Sequence, residues 1–426
     1  MNVGGASAPR PYKTALAWLY SLQQFGIKLG LDNIRRLIKE LDVAPRAARV
    51  VHVAGTNGKG SVCAMIDSIC RAAKYRTGLF ISPHLVSFRE RIRVNGEMIS
   101  EADVAAGLTT IRDLVTNWEP HPTFFEVTTA LALKRFADAG IDIAILETGL
   151  GGRLDATNAV QSAVSVITPI AFDHEKWLGD SLEKIAREKA GIIKPETPVV
   201  SAPQQVPAEK VIRARAAECG SPLKFVEQPY TKSPLALRGE YQKLNAAIAI
   251  AAVGALKLDR LDQSSSAGAG IEIDDAAIGR GLATVEWPAR FQCWDKRTVI
   301  DGAHNPAAAK TLAESWSDVF GDERATIILA ALSDKDLRGI CQALAPIADS
   351  FLLPKIQTDR AAGPDQLKKI LANLGFESGT FASFGEAFTS ARAQSKPILI
   401  TGSLHFAGEA LAHLRGEPAA FEECEQ

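Results

Sequence analysis

One short stretch carries the densest chemistry in the chain. Val50-Val51-His52-Val53-Ala54 runs into Gly55-Thr56-Asn57-Gly58-Lys59-Gly60-Ser61, and Val62, Met65, Ile66 and Ile69 follow at helical spacing. That spacing predicts a helix after the loop. Strand, glycine loop and helix frame a phosphate site. Glycines let the backbone approach an anion, amide N–H groups and the helix N-terminus offer partial positive charge, and Lys59 adds a full one. The generic Walker spacing asks for a glycine where Val53 stands, so that motif fails by spacing. An ordinary glycine-rich αβ turn is the plain alternative.

Three more polar groups follow apolar runs. Ser82 comes after 77–81, Glu147 after 141–146, and Asp173-His174 shortly after 163–167. In an open α/β sheet, ligands bind beyond the carboxyl ends of the strands, so these groups and Lys59 converge on one crevice. A nucleotide triphosphate there brings Mg²⁺, which prefers oxygen ligands and keeps several waters. Glu147 stands like the acidic residue that helps hold the metal in other phosphate-loop proteins, and Ser82 offers a hydroxyl. His174 is a less usual magnesium ligand, because imidazole suits transition metals better. Each has a plainer reading: a solvated strand-end Glu, a Ser-Pro turn, a hydrogen-bonded His.

The elements that must position these groups alternate. Two helices are expected within 11–42, with Asp32 as an N-cap. Helices are also expected at 124–139, at 182–190 closed by Gly191 as a C′ residue, and at 244–256 with Asn245 in the first turn. A second glycine-rich loop spans 148–158, a fifth strand starts at Pro198, and the low-complexity stretch 264–270 reads as a surface loop. After Trp287-Pro288-Ala289-Arg290 the alternation restarts, with apolar runs at 298–300, 326–330, 351–353 and 398–401. This pattern argues for the α/β class. The expected division is an N-terminal phosphate-loop ATPase domain with a mostly parallel sheet, 1–292, and a smaller C-terminal Rossmann-like α/β domain, 293–426. The tail from Glu417 is polar and acidic, and is expected to fray.

Composition narrows the class. Lys plus Arg is 48 and Asp plus Glu 49, so the net charge of −1 gives no case for nucleic acid or an anionic membrane surface as partner. None of the six cysteines forms a C-x-x-C pair, which argues against a zinc site or disulfide framework. Residues 1–11 lack the apolar core of a signal peptide, and no run approaches the roughly 18 apolar residues of a membrane span. A cytoplasmic, monomeric protein is the expectation.

The loop at 52–61 resembles that of the Mur-ligase superfamily. More narrowly it resembles folylpolyglutamate synthases and dihydrofolate synthases, whose own form has the shorter glycine spacing. The stretch 78–85, continuing through Phe88, Glu90-Arg91-Ile92-Arg93 and Asn95-Gly96, is similar to the folate-type signature and is not expected in cell-wall ligases. Further matches run in family order: Phe125-Glu126, Glu147 with 149–158, Asp173-His174, 188–191, Tyr241-Gln242 with Asn245, and 301–306.

The resemblance implies ATP-dependent addition of L-glutamate to dihydropteroate, to reduced folates, or to both, through an acyl phosphate. It implies that Asn57, Gly58, Lys59, Gly60, Ser61, Asn245, Arg290 and Asp301 bind ATP. Ser82, Glu147 and His174 hold Mg²⁺, and a monovalent cation such as K⁺ is a further candidate. Lys59, His174 and a carbamylated Lys189 are the implied catalytic groups. Thr123, Phe124, Phe125, Glu126, Leu154, Asp155 and Ala156 line the folate site, and His304 contacts glutamate or phosphate. Ala289 departs from the family's usual glycine, which puts the local backbone in question. Lys28 stands where an acidic residue is common. A Mur-type ligase for another carboxylate and an ATP-driven switch protein are the rival readings.

Overall fold

The computed structural model describes residues 11–26, 28, 30–43, 49–256, 273–418 and 421–422. Two sheets organise them. The strands of the first are β1 (Arg49–Ala54), β2 (Thr77–Phe80), β3 (Ile92–Val94), β4 (Glu97–Met98), β5 (Ile143–Glu147), β6 (Val164–Ile167), β7 (Val199–Ser201) and β8 (Leu223–Phe225). They lie in the order β4-β3-β2-β5-β1-β6-β7-β8. From β2 to β8 all pairings are parallel, whereas β3 and β4 add an antiparallel edge. β1 is central and buried from Val51 onward. Its Val-rich sequence suits a strand covered on both faces.

The second sheet comprises β9 (Gln292–Cys293), β10 (Thr298–Ile300), β11 (Ala325–Leu329), β12 (Ala348–Pro354), β13 (Ser378–Phe381) and β14 (Ile398–Thr401). Its order is β13-β12-β11-β14-β10-β9, parallel except for β9. Separate apolar clusters fill the two faces of each sheet. The helix Lys59–Ala72, for example, buries Val62, Met65, Ile66 and Ile69 against β1, β2, β5 and β6 residues. The result is the α/β architecture expected, a mostly parallel sheet followed by a smaller mixed one.

Local expectations are corrected in several places. Asp32 is the first helical residue rather than the cap, which is Leu31, and its side chain caps nothing. It still lies in the first turn, where the helix dipole favours an acid. Gly191 is not left-handed, with φ −63°. A Cβ there would lie 2.3 Å from Arg153 Cβ, so close packing excludes a side chain. The helix containing Asn245 starts earlier, at Glu240, so Asn245 sits in its second turn. The helices Glu101–Val115 and Val206–Glu218, and strands β3, β4, β8 and β13, follow no strong sequence period and were not expected. The expected loop at 264–270 lies outside the described residues. The tail is not simply frayed: Phe421 and Glu422 dock on the loop after β2.

Candidate active site

The glycine loop leaves β1 and turns into the helix Lys59–Ala72. Gly55 has φ 150°, and a Cβ there would come within 1.9 Å of Thr168 Oγ1. Gly58 caps the helix at φ 89°, in the left-handed region, with Asn245 Oδ1 2.8 Å from where a Cβ would stand. Both positions demand glycine. Lys59 Nζ folds back to the carbonyls of Gly55 at 3.2 Å and Thr56 at 3.4 Å. Gln242 bridges Ser61 Oγ and Asn245, so the helix from Glu240 braces the loop from below.

Around this loop lies a small crevice of about 130 Å³. Asn57, Gly58, Lys59, Gly60, Ser61, Ser82, Glu147, His174, Lys189, Arg290, Asp301 and His304 all line it. Asn245 underlies it through Gly58. Ser82 Oγ is buried with no hydrogen-bond partner among the described residues. Glu147 is buried at the end of β5, and its Oε2 accepts from Ser82 N at 3.2 Å, leaving Oε1 for a ligand. Burial raises the Glu147 pKa, against the opposing charges of Lys59, Arg290 and Arg91. An orphaned hydroxyl beside a carboxylate oxygen suits a hard cation that keeps waters and phosphate oxygens as its other ligands. Among the described residues no group of three His, Cys, Asp or Glu could hold a metal ion on its own.

His174 has φ 53°, an uncommon conformation that marks a constrained turn. Burial lowers its pKa to about 4, so its ring is neutral at physiological pH and able to ligate. Asp173 is the hub of this corner. Lys335 Nζ, from the loop after β11, donates to Asp173 Oδ1 at 2.7 Å. His304 Nε2 lies 3.6 Å from Asp173 Oδ2, while its Nδ1 is 2.9 Å from Gly302 O. Burial pushes the Asp173 carboxyl up, but His304, His174 and Lys335 outweigh it and hold the group well below the usual carboxylate range. Asn57 and Asn305 exchange amide hydrogen bonds at 3.0 and 3.3 Å, which clasps the two sheets together across the crevice.

Lys189 is buried, and its Nζ donates to the Gly55 carbonyl at 2.7 Å. Burial, then the charge of Lys59, lowers its pKa to about 7, against Asp173 and Asp155. A large share of the amine is therefore neutral near pH 7.

Beside the crevice opens a cavity of about 740 Å³, a size that suits an organic ligand. All seven residues expected there line it: Thr123, Phe124, Phe125, Glu126, Leu154, Asp155 and Ala156. Lys28 and Gly30 contribute to the same wall. Gly149 must be small because a Cβ would stand 2.6 Å from the Phe125 ring. The carboxylates here are largely spoken for. Glu126 Oε2 closes a capping box with Thr123 N and Oγ1. Asp155 accepts from Gly149 N, Leu150 N, Thr157 N and Thr157 Oγ1, which uses the four acceptor sites of a carboxylate. Beneath it, fully buried His52 meets Thr157 Oγ1 at 2.7 Å. Asp301 similarly accepts from Phe291 N and Ala303 N, one at each oxygen. Asp155 and Asp301 thus hold loops that shape the walls.

Several lining residues were not expected from the sequence: Lys335, Ser333 and Arg360 from the second sheet, and Phe172 and Trp177 from the first. Arg91 and Asn305 also line it and lie in matched stretches, but had no role assigned. The strand-end rule applied to β11 would have pointed to 333–336. No motif marks Arg360, Phe172 or Trp177.

A Mur ligase middle domain model matches residues 53–219, and a Mur ligase glutamate ligase domain model matches 289–404. The fold and site therefore define a Mur-type ligase. The chain is 33% identical to the dihydrofolate synthase/folylpolyglutamate synthase of Bacillus subtilis, over 95% of this chain and 99% of that one. To the Escherichia coli protein of the same name it is 35% identical, over 93% and 94%. An Escherichia coli FolC structure in complex with DHPP and ADP superposes with a TM-score of 0.84, at 32% identity over 96% and 99% of the two chains. A Yersinia pestis folylpolyglutamate synthase/dihydrofolate synthase with AMPPNP and Mn ion gives 0.84 at 31% identity, over 97% and 100%. The chain belongs to the dihydrofolate synthase/folylpolyglutamate synthase family.

Proposed function

We propose that the chain is an ATP-dependent ligase joining L-glutamate to the carboxylate of dihydropteroate, of reduced folates, or of both. The observation that supports this most is a shared wall. Gly149, Leu150, Asp173 and His174 line both the small crevice and the large cavity. An acid in the cavity would meet a nucleotide on the glycine loop across those residues.

The chemistry follows from that placement. A carboxylate is a poor electrophile. Its oxygen attacks the γ-phosphorus, ADP leaves, and the acyl phosphate carries a good leaving group. The glutamate nitrogen then attacks the acyl carbon and loses a proton as phosphate departs. Both partners of the first step are anionic, so fixed positive charge is needed. Lys59 and the amides of Asn57, Gly58, Gly60 and Ser61 supply it from one side, braced by Asn245 beneath Gly58, with Arg290 and Asp301 on further walls. Ser82, Glu147 and His174 would hold Mg²⁺, whose charge offsets that of the phosphates. Lys189 in its neutral form is competent to take up CO₂ as a carbamate. Lys335 and His304 are placed to receive the incoming glutamate or the released phosphate. We also place the boundary between the two domains near residue 292.

Phosphate release tests the reading. With ATP and Mg²⁺ present, release should require both a pteroate-type acid and L-glutamate, and mass analysis of the products with dihydropteroate and with tetrahydrofolate identifies the acid. ATP turnover indifferent to both would sink it.

A further inference from the structure

Two buried residues of the folate-type signature, His84 and Arg91, have no task in the reading above, and neither has the tail. They meet. The Glu422 carboxylate accepts from Tyr12 Oη at 3.0 and 3.2 Å, from Ser87 Oγ at 3.1 Å and from Phe88 N. Its backbone N–H donates to Val86 O at 2.7 Å, and its carbonyl lies 3.1 Å from His84 Nε2. Phe421, one residue earlier, packs edge-on against His405 of the helix Leu404–Leu414, with ring centroids 5.0 Å apart. Gly408 on that helix has Leu85 O 1.9 Å and the Phe421 ring 3.0 Å from where a Cβ would stand. The strap is therefore clamped between the second domain and the loop after β2.

The contact continues inward. Arg91 Nε donates to His84 Nδ1 at 2.8 Å. Arginine offers no acceptor, so Nδ1 must be bare and the ring proton must sit on Nε2. His84 Nε2–H accordingly donates to the Glu422 carbonyl. Burial, and then the Arg91 charge, keeps the ring neutral, which preserves this one-way arrangement. Arg91 is itself fully buried. It lines the large cavity, its guanidinium carbon 5.2 Å from the centre of the Phe124 ring. A fixed guanidinium at that wall offers charge and planar donors to an acid with an aromatic body.

We propose that Glu422 is a positioning residue for the acid substrate: through His84, the strap of Phe421 and Glu422 sets Arg91 at the wall of the large cavity. This rests on the reading of that cavity as the acid site. It also makes acid binding in the first domain depend on a segment delivered by the second.

The test is a KM-against-kcat split. Glu422→Ala should raise KM for dihydropteroate or tetrahydrofolate, whichever is turned over, by about tenfold, the scale of one or two charge-assisted hydrogen bonds. KM for ATP and kcat should stay near their wild-type values. Glu422→Gln keeps an acceptor for Phe88 N–H and should restore most of the loss. Tyr12→Phe removes one donor from the opposite side and should raise the same KM by a smaller factor, which keeps the test alive if Glu422→Ala folds poorly. In an Arg91→Lys background Glu422→Ala should add little further. An unchanged acid KM in both Glu422→Ala and Tyr12→Phe, or full additivity with Arg91→Lys, overturns the proposal. Leu154→Trp, inside the cavity, separates the two readings. If it leaves the acid KM unchanged, the cavity assignment fails. If it raises that KM while Glu422→Ala does not, the strap alone fails.

Discussion

The small crevice and the large cavity share a wall but are built on different principles. The crevice is about 130 Å³ and is built around the glycine loop, with Ser82, Glu147, His174 and Asp301 at or after strand ends. The cavity is about 740 Å³ and is made of side chains from a helix N-terminus, three loops, Arg91 and the second sheet. Phosphate is recognised by amides and charge, which only certain backbone paths can present, and such paths leave glycines at fixed intervals. A flat organic acid is recognised by shape, which many side chains can provide. The first kind of site writes itself into sequence as spacing; the second does so weakly.

The largest effect that tests this contrast is Lys59→Ala. It should cut kcat at least a hundredfold, the scale of losing one preorganised cation at a developing charge. Binding of the pteroate-type acid, measured by titration calorimetry, and the melting temperature should hardly move. Acid binding lost along with activity would mean the two sites are not separable.

The mirror-image change is Leu154→Trp. It fills the cavity and should raise KM for the acid about tenfold or more, the range that small changes of pocket volume produce. Affinity for a nucleotide analogue should remain as in the wild type. A weakened nucleotide would erase the distinction between the two regions.

Lys189 sharpens the comparison from the crevice side. With a pKa of about 7, its amine loses its proton as pH rises through that value, and only the neutral amine reacts with CO₂. Activity should therefore rise with pH across neutrality and respond to added bicarbonate, and ¹³C-bicarbonate should give a carbamate carbon signal absent from Lys189→Arg. A signal unchanged in that variant would remove Lys189 from the mechanism.

The smallest effect lies at Ala289. Ala289 has φ 55° and is buried, a conformation that costs a non-glycine residue about 1 kcal/mol. Its N–H is held by Gln292 Oε1 and its carbonyl by Gly302 N–H, so the backbone keeps the left-handed turn despite the methyl group. Ala289→Gly should raise stability by up to about 1 kcal/mol in denaturant unfolding, offset in part by the extra freedom of glycine in the unfolded chain. A destabilised variant would show that the turn is not strained.

Legibility in the sequence follows the same divide. The positions of the main strands along the chain, the loop at 55–61 and the convergence of Lys59, Ser82, Glu147 and His174 all come from periodicity and the strand-end rule; the order of the strands within the sheet does not. The second-sheet contributors Lys335 and Arg360 were missed because their loops carry no glycine spacing. Asp155 and Asp301 show a different limit. Sequence places them at the site, but only geometry shows that backbone amides already occupy their oxygens, whereas Glu147 keeps one oxygen for a ligand. The docking of Glu422 was invisible because a short acidic tail has the composition of a frayed one.

The shared wall has a practical consequence for ligand design. Among the described residues, only Gly149, Leu150, Asp173 and His174 border both spaces. A single molecule with an anionic head for the glycine loop and an aromatic tail for the larger space needs one short linker at that border. Joining two modest fragments there converts the second association into an intramolecular event, with an effective concentration on the order of millimolar for a short flexible connection. The gain depends on linker length, so a series of linkers would measure the separation of the two spaces in solution.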